Sequence, residues 1–128
     1  MNSNLVSSPQ IENGYTRIAN ELLEAISIYP FSGGELKVVL VILRYTYGYN
    51  RKVSNISLTE LAKKTALTRR HISNVLKLLK ATSVIIVGRY KNRNILGINK
   101  NYLQWKLWIS DWSDMWDFPK EMNGFSLQ

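Results

Sequence analysis

Apolar residues in this chain recur with a helical period in several separate blocks. Tyr15, Ile18, Ala19, Leu22, Leu23 and Ile26 stand three or four apart, so a helix over about Tyr15–Tyr29 would carry them on one face. Pro30 stops it, because proline has no amide to donate and its ring clashes with the preceding turn. Ser32 and Glu35 then have capping-box spacing, in which the hydroxyl accepts from the N3 amide and the carboxylate reaches back. The next stretch, ELKVVLVILRYTY, is apolar on nearly every side. Taken alone, VVLVIL reads equally well as a buried strand; the box before it and Gly48 after it, a good C′ residue, favour a central buried helix.

Ser57 and Glu60 repeat the box ahead of a short helix to about Thr65, and Thr68 is a natural N-cap for a helix from Arg69 to about Ala81. Two short β-branched runs, Val84 to Val87 and Ile95 to Ile98, flank a polar turn RYKNRN (Arg89 to Asn94) and predict a hairpin. The predicted fold is mainly α with a small β-hairpin, in the order of a winged helix-turn-helix. Residues 1–12 are polar and read as a flexible arm, residues 13–105 as the domain, and residues 106–128 as an acidic, aromatic tail.

A helix-turn-helix needs a small residue in its first helix, a tight turn and apolar anchors in its second. Leu61 and Ala62, then Ala66 and Leu67, then Ile72, Val75, Leu76 and Leu79 meet that need. Ala66 stands where the turn favours a left-handed backbone, a conformation glycine adopts more freely, so Ala66→Gly is expected to stabilise the fold. On a wheel of 100° per residue the four anchors cluster, and Arg70, Asn74 and Lys77 fall opposite them with Arg69 and Ser73 to one side. Arginine can pair with guanine, asparagine with adenine, and lysine with guanine or phosphate. An ordinary solvated basic face would account for any one of these residues; their place after a helix-turn-helix spacing favours a recognition helix.

Charge sharpens this picture. The net charge is +8, and residues 44–100 hold thirteen Lys and Arg against one acid, Glu60, while the segments before and after are each slightly acidic. A basic middle between acidic ends is a local electrostatic footprint for a polyanion, and double-stranded DNA is the expected partner. In the turn, Arg89, Lys91 and Arg93 alternate with other residues, so on a hairpin they can point one way, toward the DNA backbone or minor groove. Arg44, Arg51, Lys52, Lys63 and Lys64 are expected as phosphate neighbours rather than base readers.

Little else in the sequence suggests chemistry. With no cysteine, one histidine and no GxxxxGK loop, neither a catalytic centre, a metal site nor a cofactor is expected. His71 lies off the groove-facing line and is expected to pack or face solvent. The longest apolar run, Val38 to Leu43, is far short of the ~20 residues a membrane span needs, and the N-terminus lacks a signal-peptide pattern; a cytoplasmic protein is expected. Residues 102–118 contain all four tryptophans. Leu103, Trp105, Leu107 and Ile109 alternate as a third strand beside the wing would, while Trp108, Trp112, Met115 and Trp116 have helical spacing. These rings either complete the core or form a dimer or partner interface.

Four segments together resemble the N-terminal, origin-binding domain of the phage lambda-type replication protein O family. They are ENGYTRIANELLEAI (Glu12 to Ile26), VVLVILRYTYGYN (Val38 to Asn50), ISLTELAKKTALTRRHISNVLKLL (Ile56 to Leu79) and INKNYLQW (Ile98 to Trp105). The resemblance implies a winged-helix initiator that binds repeated sites in a phage replication origin, as a dimer, in the host bacterial cytoplasm. It places Arg69, Arg70, Ser73, Asn74 and Lys77 on the recognition helix. In that family a separate C-terminal region recruits the helicase-loading machinery; here either the chain is a fragment of a longer protein or the acidic tail does the recruiting. A winged-helix transcription regulator is the alternative, since it would use the same fold and contacts.

Overall fold

A computed structural model describes residues 7–106. Its elements in chain order are α1 (Asn20–Ile28), α2 (Gly33–Thr46), β1 (Val53–Asn55), α3 (Leu58–Thr65), α4 (Arg69–Ala81), β2 (Ile85–Tyr90) and β3 (Arg93–Ile98), with 3-10 turns at Ile11–Asn13, Tyr47–Tyr49 and Tyr102–Gln104. The domain is mainly helical with one small antiparallel sheet, and its order is that of a winged-helix-like fold.

Three helices begin at the predicted caps. Ser32 Oγ accepts from the Glu35 amide at 3.2 Å and the Glu35 carboxylate accepts from the Ser32 amide at 3.0 Å, a complete capping box. Ser57 caps α3 in the same way, accepting from the Glu60 amide at 3.0 Å. The second half of that box is not made: the Glu60 carboxylate accepts from the Tyr45 hydroxyl, tying α3 to α2. Burial and this carboxylate together push the Tyr45 phenol up to about 12. Thr68 caps α4 by accepting from the His71 amide at 3.1 Å.

The first helix is shorter than its periodicity predicts. It starts at Asn20 because Ala19 is extended and offers no capping side chain, and Tyr15, which the pattern placed on the buried face, is 64% exposed. At its far end Tyr29 is extended, as a residue before proline must usually be. The expected role of Gly48 is also displaced. The left-handed residue after α2 is Asn50 (φ 56), and Gly48 lies inside a 3-10 turn where a Cβ would come within 2.7 Å of the Arg44 guanidinium.

The sheet has the order β1-β3-β2. Its third strand is Val53–Asn55, not the segment around Leu103–Trp105, which forms a 3-10 turn instead. Trp105 is drawn into the core at 1% exposure, with its indole N–H donating to the Asn99 carbonyl at 2.8 Å. Leu107, Ile109 and the other three tryptophans lie outside the described residues. Gly97 is where β1 crosses: a Cβ there would sit 2.5 Å from the Lys52 carbonyl oxygen, so only glycine admits this backbone approach.

The core is one cluster between the helices and the inner face of the sheet. Val38, Val39, Ile42 and Leu43 of α2 occupy its centre, as expected for a central buried helix, and Leu61, Ile72, Leu79, Val84 and Leu96 close on them. Tyr29 and Phe31 meet the Trp105 ring at 5.6 and 6.1 Å between centroids, which fastens the segment after β3 to the end of α1.

Candidate nucleic-acid interface

Two helices joined at Ala66 set the geometry of the site. Ala66 adopts φ 61, ψ 26, the left-handed conformation expected at the turn, and its amide closes α3 on the Ala62 carbonyl at 2.9 Å. Thr65, buried beside it, donates its hydroxyl to the Leu61 carbonyl at 2.7 Å and accepts from the Leu67 amide at 3.3 Å. The turn is thereby fixed by side chain as well as backbone, and α4 leaves it at a defined angle.

On α4 the two faces separate as the wheel predicts. Ile72, Val75 and Leu79 are buried and Leu76 is half-buried, whereas Arg69, Arg70, Asn74 and Lys77 are exposed and Ser73 is half-buried beside them. The first turn carries no acidic residue and two arginines. Cations at a helix N-terminus oppose the macrodipole, at about 0.3–1 kcal/mol each for exposed groups. Helix stability therefore does not explain Arg69 and Arg70; with the amides at that end they make a place where an anion is attracted. His71 is exposed, with its ring against Gly34 at the start of α2, where a Cβ would lie 3.0 Å from Nε2.

The wing is tighter than a six-residue turn. The strands pair as far as Arg89 with Asn94 and Tyr90 with Arg93, leaving Lys91 and Asn92 as the two-residue tip. Both tip residues are left-handed (φ 51 and 63), the backbone that matches the twist of a hairpin. Arg89, Lys91 and Arg93 are exposed there, but they do not all point one way as expected, because Arg89 pairs with Asn94 and Arg93 with Tyr90, neighbouring pairs on opposite faces of the hairpin. The Lys91 ammonium lies 5.3 Å from the centre of the Tyr90 ring.

The remaining cations divide into two places. Lys63 and Lys64 are exposed on the last turn of α3, and Lys64 shares a shallow depression with Arg44 and Tyr49. Tyr49 is held between two guanidiniums, Arg44 at 5.0 Å and Arg51 at 5.8 Å. Arg51 and Lys52, expected from sequence as phosphate neighbours, lie at the base of the sheet, since the Lys52 carbonyl packs on Gly97. Gly97 stands five positions along the chain from Asn92, so that base lies about 16 Å from the wing tip. Arg17 and Lys100, which charge counting along the chain did not single out, join them in a cleft. Only contacts between segments far apart in sequence could have revealed this grouping. Among the described residues no three His, Cys, Asp or Glu side chains stand together as a metal site, and no helix is long and apolar enough to cross a membrane.

A helix-turn-helix with a short hairpin behind it, both displaying cations, defines a class of winged-helix-like domain. Within that class the chain belongs to the bacteriophage replication protein O family, whose pattern matches residues 8–105. It is 35% identical over 98 residues to DNA replication protein gp18 of Salmonella phage P22 and 31% identical over 97 residues to replication protein 15 of Enterobacteria phage phi80, each match covering 76% of this chain. It is 32% identical over 96 residues, 74% of the chain, to replication protein O of Escherichia phage lambda. The matched region spans about a third of these relatives, at 32%, 34% and 27% of their lengths for the phi80, P22 and lambda proteins. No solved structure matches the chain.

Proposed function

We propose that this chain binds double-stranded DNA and serves as the origin-recognition part of a phage replication initiator. The observation that carries the reading is the exposed side of α4, where Arg69, Arg70, Asn74 and Lys77 stand free of the core behind a fixed turn. A helix so presented fits a major groove, with Arg70 and Asn74 at base edges and Ser73 and Lys77 beside them. The wing tip, with Arg89, Lys91 and Arg93, lies along the backbone or the adjacent minor groove, and Lys63 and Lys64 take phosphates. Family membership supports the link to phage DNA replication.

In this reading the protein acts by binding and not by catalysis, needs no cofactor, and works in the host bacterial cytoplasm. It binds repeated origin sites as a dimer and meets the helicase-loading or host replication machinery there. Footprinting on DNA from its own genome, at a stated salt concentration, tests this. Protection of clustered direct repeats beside an AT-rich stretch is the expected result. A protected palindrome over a promoter would make it a transcription regulator, and no protected site at all would end the DNA-recognition reading. Magnesium-dependent cleavage of that DNA would show catalysis.

A further inference from the structure

At the base of the sheet a cleft of about 520 Å³ opens between the start of α1, the 3-10 turn after α2 and the segment after β3. No residue of α4 or of the wing lines it. Four cations do, Arg17, Arg51, Lys52 and Lys100, against one carboxylate, Glu21. Two features independent of that charge also favour an anion. The cleft is lined by the N-terminus of α1, a nine-residue helix whose cap, Ala19, has no side chain to satisfy the first amides. The first intrahelical bond is made by the Leu23 amide, so those of Asn20, Glu21 and Leu22 remain available to a ligand. Finally, Tyr47 and Tyr102 both line the cleft, and the hydroxyls of both are buried with no hydrogen-bond partner among the described residues.

Tyr102 is only 8% exposed. Burying a hydroxyl unpaired is costly, and folded proteins rarely leave one so. Here the two residues that carry these hydroxyls line one cleft together with an uncapped helix end and four positive side chains. Packing alone does not call for that combination; a tetrahedral oxyanion, which accepts several hydrogen bonds and carries charge, would satisfy all of it. The lone carboxylate of Glu21 argues against a cationic ligand, and the absence of a second carboxylate against a divalent metal.

We propose that this cleft is a phosphate-binding site, separate from the α4 face and specific for the phosphate group of a nucleic-acid strand or of a free nucleotide. It does not require α4 to read DNA; only the source of the phosphate bears on that reading. The N-terminal amides of α1 and the guanidiniums of Arg17 and Arg51 hold the oxygens, and Tyr102 and Tyr47 turn their hydroxyls to donate. Lys52 and Lys100 supply charge at the rim.

The test follows backbone amide NMR signals of the whole chain while inorganic phosphate, a nucleoside triphosphate or a short single-stranded oligonucleotide is added. Saturable shifts at Asn20, Glu21 and Leu22 are expected. The double variant Arg51→Gln, Lys100→Gln should bind about tenfold or more weakly, as loss of a charge-assisted hydrogen bond implies. Tyr102→Phe should leave the free protein's melting temperature unchanged or raised while weakening the ligand, a split that a purely structural hydroxyl would not give. Tighter binding of the oligonucleotide identifies a strand as the source, and tighter binding of the triphosphate a free nucleotide. Arg70→Ala should not alter any of these shifts. If the three amides do not respond to any probe, or respond equally in the double variant, the proposal is wrong, whatever α4 does with duplex DNA.

Discussion

Helix α4 and the wing are both cationic and both exposed, yet they are held in opposite ways. Ile72 (0%), Leu79 (1%) and Val75 (6%) bolt α4 to the core, so the side chains on its outer face leave a backbone that cannot shift without disturbing packing. The wing's buried side chains, Ile85, Leu96 and Ile98, all lie toward its base; from Gly88 to Arg93 every residue is exposed, and only strand pairing and two left-handed residues give the tip shape. Under the proposed function this difference separates two tasks. Discriminating one base edge from another requires donors fixed in position, which α4 provides. Neutralising phosphates, which look alike along any duplex, tolerates a compliant arm, which the wing provides.

The comparison can be broken most forcefully at its anchor. Ile72→Ala removes a fully buried side chain from under α4 and should cost about 2–5 kcal/mol in denaturant unfolding, against a negligible change for Arg89→Ala on the wing. A small effect at Ile72 would mean that α4 is not bolted down. Next in size, Arg70→Ala should weaken binding to the footprinted site by about 1–3 kcal/mol and relax discrimination at one base position, read by anisotropy on single-base variants. Equal losses on specific and random DNA would remove the reader role.

Ala66→Gly sharpens the comparison without touching either surface. At φ 61 an alanine is strained, and glycine there should stabilise the protein by about 1 kcal/mol, seen as a raised melting temperature with DNA discrimination unchanged. The smallest effect is expected at the tip. Lys91→Ala should weaken all DNA sequences alike and lower the slope of log affinity against log salt by about one, leaving discrimination intact. Loss of sequence preference in that variant would make the wing a reader and erase the division of labour.

Much of this could be read along the chain. The caps at Ser32, Ser57 and Thr68, the limits of α4, the two faces of that helix and the left-handed Ala66 all follow from residues within four positions of one another. The start of α1 is not legible, because Tyr15 and Ile18 continue its apolar period whereas the backbone at Ala19 has no cap and stays extended. The alternation of Leu103, Trp105, Leu107 and Ile109 also suits a third strand, but alternation does not show which segment pairs with β3. What pairs with β3 is Val53–Asn55, too short to show a pattern and forty-odd positions away from its partners.

The same distinction separates what the sequence determines by itself from what the folded chain decides. Helix bonds join residues four apart and caps join residues three apart, so composition and spacing suffice to specify α2, α3 and α4 and the cations that α4 turns outward. Strand pairing and crevices join distant segments. Only the packing of Lys52 against Gly97, together with the return of the chain through Lys100 and Tyr102, takes Arg51 and Lys52 away from the wing tip and sets them beside Arg17 at the uncapped end of α1. Linear order carries no distance between such residues, because the free energy that brings them together comes from burying the core as a whole.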